Sequence, residues 1–188
     1  MLPERFQGLG MPNFVVISFA CKVFFLLCNW GFATAAVQLT MHCYESWMLE
    51  VGLYGNIFST DYSAFGVLAT DNTWFKNFWE LSRLLDIDVT LHNKYHLSPV
   101  REGDRSLMSE FFRGGYSGAE LQLLNVVRHH KQVVHLSDAY FCDGLTLNPS
   151  ILSADSGSSI YTFPHERPTH SDLELWQQAI HRATSPQF

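Results

Sequence analysis

The longest apolar stretch of the chain lies near its N-terminus. Residues 14–27 are almost unbroken hydrophobic sequence, and further small and apolar residues continue to position 37. Asn13, directly before the stretch, is a residue type that caps helix N-termini. A helix of about four turns over 14–28 is therefore predicted, with the Lys22 side chain extending past its apolar neighbours to solvent.

The same stretch permits three interpretations. A signal peptide would have this apolar centre and small residues at 33–35, but the segment before it is nearly neutral because Glu4 offsets Arg5. A membrane-spanning helix would place Lys22 near the bilayer centre, at a cost of roughly 2.5–3.5 kcal/mol. We favour the third interpretation, a buried core helix of a soluble protein. Membrane or secretory targeting through residues 14–37 stays open as the alternative.

Apolar periodicity further along predicts a mainly helical chain. In the stretch 72–85, with Asp71 as the expected N-cap, four apolar residues recur at helical spacing: Trp74, Phe78, Leu81 and Leu85. This stripe is interpreted as core, with a partner-binding face as the alternative. The other predicted helices cover 33–50, 105–113 after Asp104, 117–131 with Ser117 in a capping box, and the stretch that begins at Ser171.

Short irregular and β-like segments separate these helices. Residues 62–69 form either a short helix or an extended piece, while 89–91 and 132–136 are predicted strands. The predicted fold class is mainly α with a few short strands, α+β at most, arranged as an irregular helical bundle. Two organisations are open: a helical region over 1–100 followed by a second helical region with short β segments over 101–188, or one continuous domain.

Composition narrows the function classes. The chain has 12 Lys and Arg against 18 Asp and Glu, a net charge of −6, which argues against an autonomous nucleic-acid binder. Charged residues make up only 16% of the chain, whereas the aromatic fraction is high, at 14%. Because such a chain has much apolar surface and few charges, we expect a partner to cover part of that surface. The four cysteines form no CxxC pair and are interpreted as reduced, buried thiols: Cys21, Cys28, Cys43 and Cys142.

The histidines and acids that could carry chemistry form no recognised motif. The densest set is His129, His130, His135 and Asp138, followed by Asp143, His165 and His170. His129 and His130 are adjacent on a predicted helix and point to different sides, so they cannot both ligate one ion. These residues are interpreted as surface or capping side chains, and no metal site is assigned.

Other candidate sites are also weak. Ser137 and Asp138 follow His135, but no GxSxG motif accompanies them. Asp86 and Asp88 are interpreted as a solvated helix end. The glycine clusters at 8–10 and 114–118 match neither a dinucleotide-binding loop nor a P-loop. We therefore assign no catalytic or cofactor-binding residue and expect neither enzyme activity nor a cofactor.

Several short phrases of the sequence nevertheless occur in a familiar order. They are Leu2-Pro3 through Gly8-Leu9-Gly10-Met11-Pro12; Glu50-Val51-Gly52-Leu53; Leu68-Ala69-Thr70 with Thr73-Trp74; His135-Leu136-Ser137-Asp138 before Asp143-Gly144; and Tyr161-Thr162-Phe163-Pro164-His165-Glu166-Arg167-Pro168 leading to Asp172 and Trp176. The series resembles the region that follows the reverse transcriptase domain in polyprotein-like open reading frames of non-LTR-type retroelements of diatoms, fungi and similar eukaryotes.

The resemblance implies a non-catalytic role. Polymerase activity in that family depends on aspartates in a Tyr-x-Asp-Asp turn, and this chain has no adjacent Asp pair. The chain would then be a detached piece, similar to a thumb or connection region, with the missing polymerase domain or nucleic acid as its partner in the parent protein. A local basic face could serve nucleic acid there: Lys76, Arg83, Lys94, Arg101, Arg105 and Arg113. A cytoplasmic or nuclear location would follow, whereas the alternative implies a membrane.

Overall fold

The computed structural model of the chain describes residues 13–30, 34–71, 73–91, 103–153 and 168–184. Within these ranges 69% of the residues are helical and no sheet forms. The β pairing there consists of two isolated antiparallel bridges, Ser106 to His135 and Tyr140 to Leu147. The predicted mainly α fold is confirmed. The strand predicted at 89–91 is irregular backbone, and that at 132–136 is reduced to the single bridge at His135.

Eight α-helices of very different length make up the described part. They are α1 (Phe14–Asn29), α2 (Ala35–Val51), α3 (Tyr62–Phe65), α4 (Trp74–Leu84), α5 (Leu107–Arg113), α6 (Gly118–Lys131), α7 (Pro149–Leu152) and α8 (His170–Thr184). Short 3₁₀ turns lie at Ile57–Ser59, Gly66–Leu68 and Leu136–Ala139. The segment 62–69 is thus helical throughout most of its length, which decides between the two alternatives left open by its sequence.

Helix starts follow the predicted chemistry but not always the predicted residue. Asn13 caps α1 as expected, since its Oδ1 accepts a hydrogen bond from the Val15 amide at 3.0 Å. For α4 the cap is Thr73 rather than Asp71; the Asp71 carboxylate instead pairs with the Lys76 ammonium at 2.7 Å. Thr and Asp can both cap a helix, so the local sequence alone does not determine which of the two residues becomes the cap.

Three further caps differ from the prediction in the same way. Ser106, not Asp104, caps α5. Ser117 makes no side-chain hydrogen bond at the start of α6. At α8 the reciprocal pair is Thr169 with Asp172, and not a box that begins at Ser171. At α5 and α8 a neighbouring Ser or Thr offers the same oxygen acceptor two residues away, whereas at α6 the start stays at Ser117 without a side-chain bond.

Aromatic side chains from α2, α4 and the intervening turn form the centre of the first half of the chain. Tyr44, Trp47, Phe58, Phe75 and Trp79 are all buried, and the Trp47 ring lies within 5.8 Å of the Phe58, Phe75 and Trp79 rings. Such edge and stacked contacts add to the gain from burial itself. Part of the high aromatic content of the sequence therefore forms the core of the first half.

This cluster makes stability sensitive to alkaline pH through Tyr44. Burial raises the pKa of Tyr44 to about 12, so its hydroxyl stays protonated in the folded protein while the unfolded chain ionises above pH 10. The folded state then binds more protons, and the free energy of unfolding should fall by about 2 kcal/mol between pH 10 and 11.5. In urea titrations, Tyr44→Phe should remove that part of the loss. An equally steep loss in the variant would contradict the assignment to Tyr44.

Helix α1 is not the buried core helix that its sequence predicts. Its buried residues are Phe19 and Leu26, whereas Phe14 is 71%, Phe24 is 68% and Leu27 is 74% exposed. The helix contacts α4 along one side, where the Phe19 and Phe78 rings stack at 5.2 Å. An apolar run this long has hydrophobic residues on every side, and one neighbouring helix can bury only one of them.

The cysteine prediction is wrong in one respect. No disulfide joins the four cysteines, as expected of a reduced protein, but all four are exposed rather than buried: Cys21, Cys28, Cys43 and Cys142.

The second half of the chain packs around α8. Trp176 is fully buried, donates its indole N–H to the Ile151 carbonyl at 2.9 Å and contacts the Phe111 ring at 5.4 Å. Leu173 and Ile180, on the predicted apolar side of α8, are buried with it. Helix α6 also contacts the Gly66–Leu68 turn of the first half, while the division into one or two domains stays a prediction.

Candidate functional site

An open apolar groove runs between α2, the start of α4 and the end of α1. It comprises two adjoining cavities of about 490 and 250 Å³. Both are lined by Cys43, Trp74 and Phe75, so they form one continuous groove. The remaining lining comes from Phe25, Leu39, Thr40, His42, Ser46, Trp47, Glu50 and Thr73. We call this surface the aromatic groove.

The sequence places the groove residues of α2 on one side of that helix. Positions 39, 43, 46, 47 and 50 recur every three or four residues, which is the spacing of a helical stripe. The distance along α2 from 39 to 50 is about 16 Å, at a rise of 1.5 Å per residue. The groove is therefore long enough for about three turns of another helix.

The stripe predicted on α4 divides between the core and this groove. Phe78 and Leu81 are buried, whereas Trp74 is 37% exposed and lines the groove. The Trp74 ring stacks on Phe78 at 5.5 Å and contacts the Phe25 ring edge-on at 5.8 Å. The core interpretation of the stripe therefore holds for Phe78 and Leu81, and the partner-binding alternative stays a prediction for Trp74.

An acidic side chain, Glu50, lies at the polar rim of the groove. It is on α2, and its Oε1 accepts hydrogen bonds from the Thr70 amide and hydroxyl. Lys76, the base close to the start of α4, is paired with Asp71. A ligand that brings a cation to this rim would therefore meet an attractive field.

A buried polar cluster lies beneath the C-terminal end of α2. Arg128 on α6 is 2% exposed and donates hydrogen bonds to the Leu49, Glu50 and Val133 carbonyls and to Asn125 Oδ1. The Asn125 amide donates to the Glu50 carbonyl at 2.9 Å. These donors satisfy carbonyls that the end of an α-helix leaves without an intrahelical partner. The cluster is a helix cap supplied from a distant helix.

The charge on Arg128 persists at neutral pH. Burial lowers the pKa of Arg128 to about 9, while the Glu50 carboxylate opposes that shift. The group is thus still a guanidinium at pH 7, and a charged donor makes stronger hydrogen bonds to carbonyls than a neutral one. These hydrogen bonds hold α6 against α2.

His135 and its neighbours form a second buried set. The ring is 5% exposed, lies 5.2 Å from the Tyr54 ring and accepts a hydrogen bond from the Asp138 amide, while Asp138 Oδ2 accepts from the His135 amide at 2.8 Å. His135 Nε2 and Ser137 Oγ, both buried, have no hydrogen-bond partner within the described ranges. They are therefore not bonded to each other, so the structure does not form the serine–histidine pair considered from the sequence.

The other histidines and acids of the predicted set are dispersed. His129 Nε2 lies 2.8 Å from the Glu50 carbonyl, and His170 Nε2 lies 3.4 Å from Glu174 Oε1 on the surface of α8. Asp143 accepts three hydrogen bonds within the turn 143–146. His130 is half-buried on α6, and His165 lies outside the described residues. Across the described ranges, no three His, Cys, Asp or Glu side chains are placed to hold a metal ion.

The basic residues expected to form a nucleic-acid face are paired with acids. Arg83 bonds to Asp88 at 2.7 Å, and Arg105 and Arg113 both bond to the buried carboxylate of Glu110, at 3.1 and 2.7 Å. Lys76 pairs with Asp71, as noted for the rim. Lys94 and Arg101 lie outside the described residues. Asp86 and Asp88 do not act as a pair, since Asp86 is exposed in a left-handed conformation with φ of 54°.

None of the helices within the described ranges combines the length and the apolar character needed to cross a membrane.

Comparisons with family models, with curated proteins and with solved structures each return no match to this chain. The resemblance to retroelement proteins therefore depends on the short phrases in the sequence. Two of them, at 1–12 and 161–167, lie outside the described residues.

Sequence reasoning did not find the aromatic groove or the Arg128 cap. A signal for the groove existed in the stripe at 39, 43, 46, 47 and 50 on α2, which mixes aliphatic, aromatic and small residues without a basic one. Arg128 had no such signal. It stands beside His129, His130 and Lys131 in a run of basic residues that is typical of a solvated helix end.

Proposed function

We propose that this chain is a non-catalytic protein-interaction module that binds an amphipathic helix of a partner in the aromatic groove. The groove itself supports this most directly, because exposed aromatic and aliphatic side chains from three helices line it. Apolar grooves of this kind bind a helix through residues spaced three and four apart.

The dimensions and charge of the groove define the ligand. A helix of about three turns fits the 16 Å of α2 between positions 39 and 50. Its apolar side would contact Trp74 and Phe75, and a Lys or Arg at its end would meet the Glu50 carboxylate at the rim. A neutral or basic amphipathic helix is therefore preferred over an acidic one.

The resemblance to retroelement proteins names a source for that helix. In such a parent protein this module would be an accessory part that holds the polymerase domain, and the helix would come from that domain. The exposed apolar surface of an isolated module is what such an arrangement would leave uncovered. Pairing of the described basic residues with acids makes direct nucleic-acid binding the weaker of the two partner proposals.

The test begins with the genomic DNA upstream of the Met1 codon. We expect a frame, intact or decayed, that encodes a polymerase palm with Tyr-x-Asp-Asp; absence of any such remnant would remove the retroelement proposal. The encoded polymerase segment, repaired where decayed, is then purified and titrated into the full 188-residue chain by calorimetry.

The groove is tested with two matched variants. Cys43 and Cys142 are both exposed, but only Cys43 lines the groove. Cys43→Arg should weaken binding at least tenfold, because it fills the groove and repels a basic helix, whereas Cys142→Arg should bind like the wild type. Equal affinity of both variants, or no binding by the wild type, would overturn the groove proposal.

A further inference from the structure

The exposed side of α1 has a regular spacing that the groove does not use. Its positions recur in steps of three, four, three and four residues: Phe14, Ile17, Cys21, Phe24 and Cys28. Phe14 is 71%, Ile17 42% and Phe24 68% exposed, and both cysteines are exposed as well. This is the a and d spacing of a coiled coil over two heptads. We call these five residues the α1 seam.

The fold turns the seam directly away from the protein. Phe19 and Leu26 are the buried residues of α1, each 4% exposed, and they are seven residues apart. In the heptad that places Phe14 at a, both occupy the f position, which lies opposite the a and d positions. Burial of the f positions therefore leaves the seam free along the full length of the helix.

The surroundings of the seam suit contact with an identical surface. The positions that flank it are Ser18, Ala20, Phe25 and Leu27, none of them charged. The single charged residue of α1 is Lys22, and its ammonium is held by Asn77 Oδ1 at 2.7 Å and Ser18 Oγ at 3.2 Å. Two copies can therefore bring their seams together without opposing like charges, although the whole chain carries −6.

The apolar area is that of a protein interface. With aromatic side chains of about 150–250 Å² each and smaller aliphatic ones, the exposed large apolar residues of the seam and its flanks leave roughly 550 Å² accessible, to which Cys21 and Cys28 add: Phe14, Ile17, Phe24, Phe25 and Leu27. A standard stable interface buries about 800 Å² on each partner. Leu39, 65% exposed at the adjoining start of α2, extends the same surface. A helix that binds a lipid surface would instead carry several Lys or Arg residues on its polar side, whereas α1 has Lys22 alone, and its ammonium is held by Asn77 and Ser18.

We propose that two copies of this chain form a two-fold symmetric dimer by antiparallel packing of their α1 seams. In this arrangement the two Cys21 side chains meet at the symmetry axis, and Phe14 packs against the second copy's Cys28. Phe14 therefore faces a small side chain and Phe24 faces Ile17, and the antiparallel helix dipoles attract. Phe25 and Leu39 border both this surface and the aromatic groove, but none of the five seam residues lines the groove, so the dimer does not rest on the proposed function.

Sedimentation equilibrium of the full chain tests the association. The wild type should have twice the monomer mass, and Phe24→Glu should have the monomer mass with an unchanged circular dichroism spectrum. Leu145→Glu is the control, because Leu145 is 86% exposed and distant from α1 in sequence; it should stay dimeric. A monomeric wild type, or a dimer that survives Phe24→Glu, would overturn the proposal.

Single-cysteine variants test the orientation under mild oxidation. A chain that keeps only Cys21 should form a covalent dimer, whereas chains that keep only Cys28, only Cys43 or only Cys142 should not. Cross-linking of the Cys28 chain as fast as the Cys21 chain would show parallel helices and overturn the antiparallel arrangement. Binding of phosphatidylcholine–phosphatidylserine vesicles by a monomeric wild type, lost in Phe24→Glu, would assign the seam to lipid instead.

Discussion

Replacing Arg128 with methionine should lower the free energy of unfolding by about 3 kcal/mol. Methionine keeps much of the side-chain volume but removes every donor, so the Leu49 and Val133 carbonyls and Asn125 Oδ1 lose their hydrogen bonds to this residue. A buried acceptor left unsatisfied costs about 1–3 kcal/mol. Relief of the desolvation cost of the buried guanidinium offsets part of that total.

Arg128→Lys separates charge from geometry. A lysine keeps the positive charge but cannot donate in the planar, forked arrangement that reaches Asn125 and two stretches of backbone at once. We expect the free energy of unfolding of Arg128→Lys to lie between those of the wild type and Arg128→Met. Urea unfolding followed by circular dichroism gives all three free energies.

Arg105→Met is the control for a surface arginine. The Arg105 side chain is 46% exposed, and its partner Glu110 keeps the ion pair with Arg113. The expected loss is below about 1 kcal/mol, as for other exposed ion pairs. A comparably small loss in Arg128→Met would mean that the α2 carbonyls do not depend on this side chain.

Gly52→Ala should cost about 2–3 kcal/mol of folding stability. Gly52 caps α2 with φ of 74°, a left-handed conformation that costs a residue with a Cβ about 1–2 kcal/mol. A Cβ there would also lie 2.5 Å from Arg128 Nε and 2.8 Å from Met108 Cγ. The arginine would have to leave its position, and with it the hydrogen bonds to α2.

Comparison with Gly55→Ala isolates the steric part of the Gly52→Ala effect. Gly55 has φ of 82°, and a Cβ on it would meet nothing within 4 Å. Its expected loss is therefore the conformational cost alone, about 1 kcal/mol. Thermal or urea unfolding should show that the Gly52→Ala variant is less stable than the Gly55→Ala variant. Equal losses would show that Arg128 moves aside without penalty.

Local features of the sequence were sufficient to predict the helices. The long helices predicted at 14–28, 33–50, 72–85 and 117–131 correspond to α1, α2, α4 and α6, because apolar periodicity and turn residues act over a few residues. Cap positions were displaced where Ser, Thr and Asp stand close together. Each offers an equivalent oxygen, and tertiary packing decides which one the helix uses.

The errors arose where the outcome depends on distant residues. The apolar run of α1 predicted burial, but burial requires a neighbour on every side, and the described part provides α4 on one. The capping role of Arg128 depends on carbonyls more than 70 residues earlier in the chain. The aromatic groove depends on the meeting of three helices. None of these can be obtained from spacing within one segment.

The Arg128 cap also means that α2 is synthesised before the residues that cap it. The donors for the Glu50 carbonyl lie 75 residues later at Asn125 and 78 residues later at Arg128. At about 5–20 residues per second, a ribosome adds them roughly 4–16 seconds after the end of α2. Until then water must hydrate those carbonyls, and Gly52 must keep its left-handed turn without the guanidinium beside it. Nascent chains that stop before residue 125 would therefore expose an unfinished first half to proteases and chaperones.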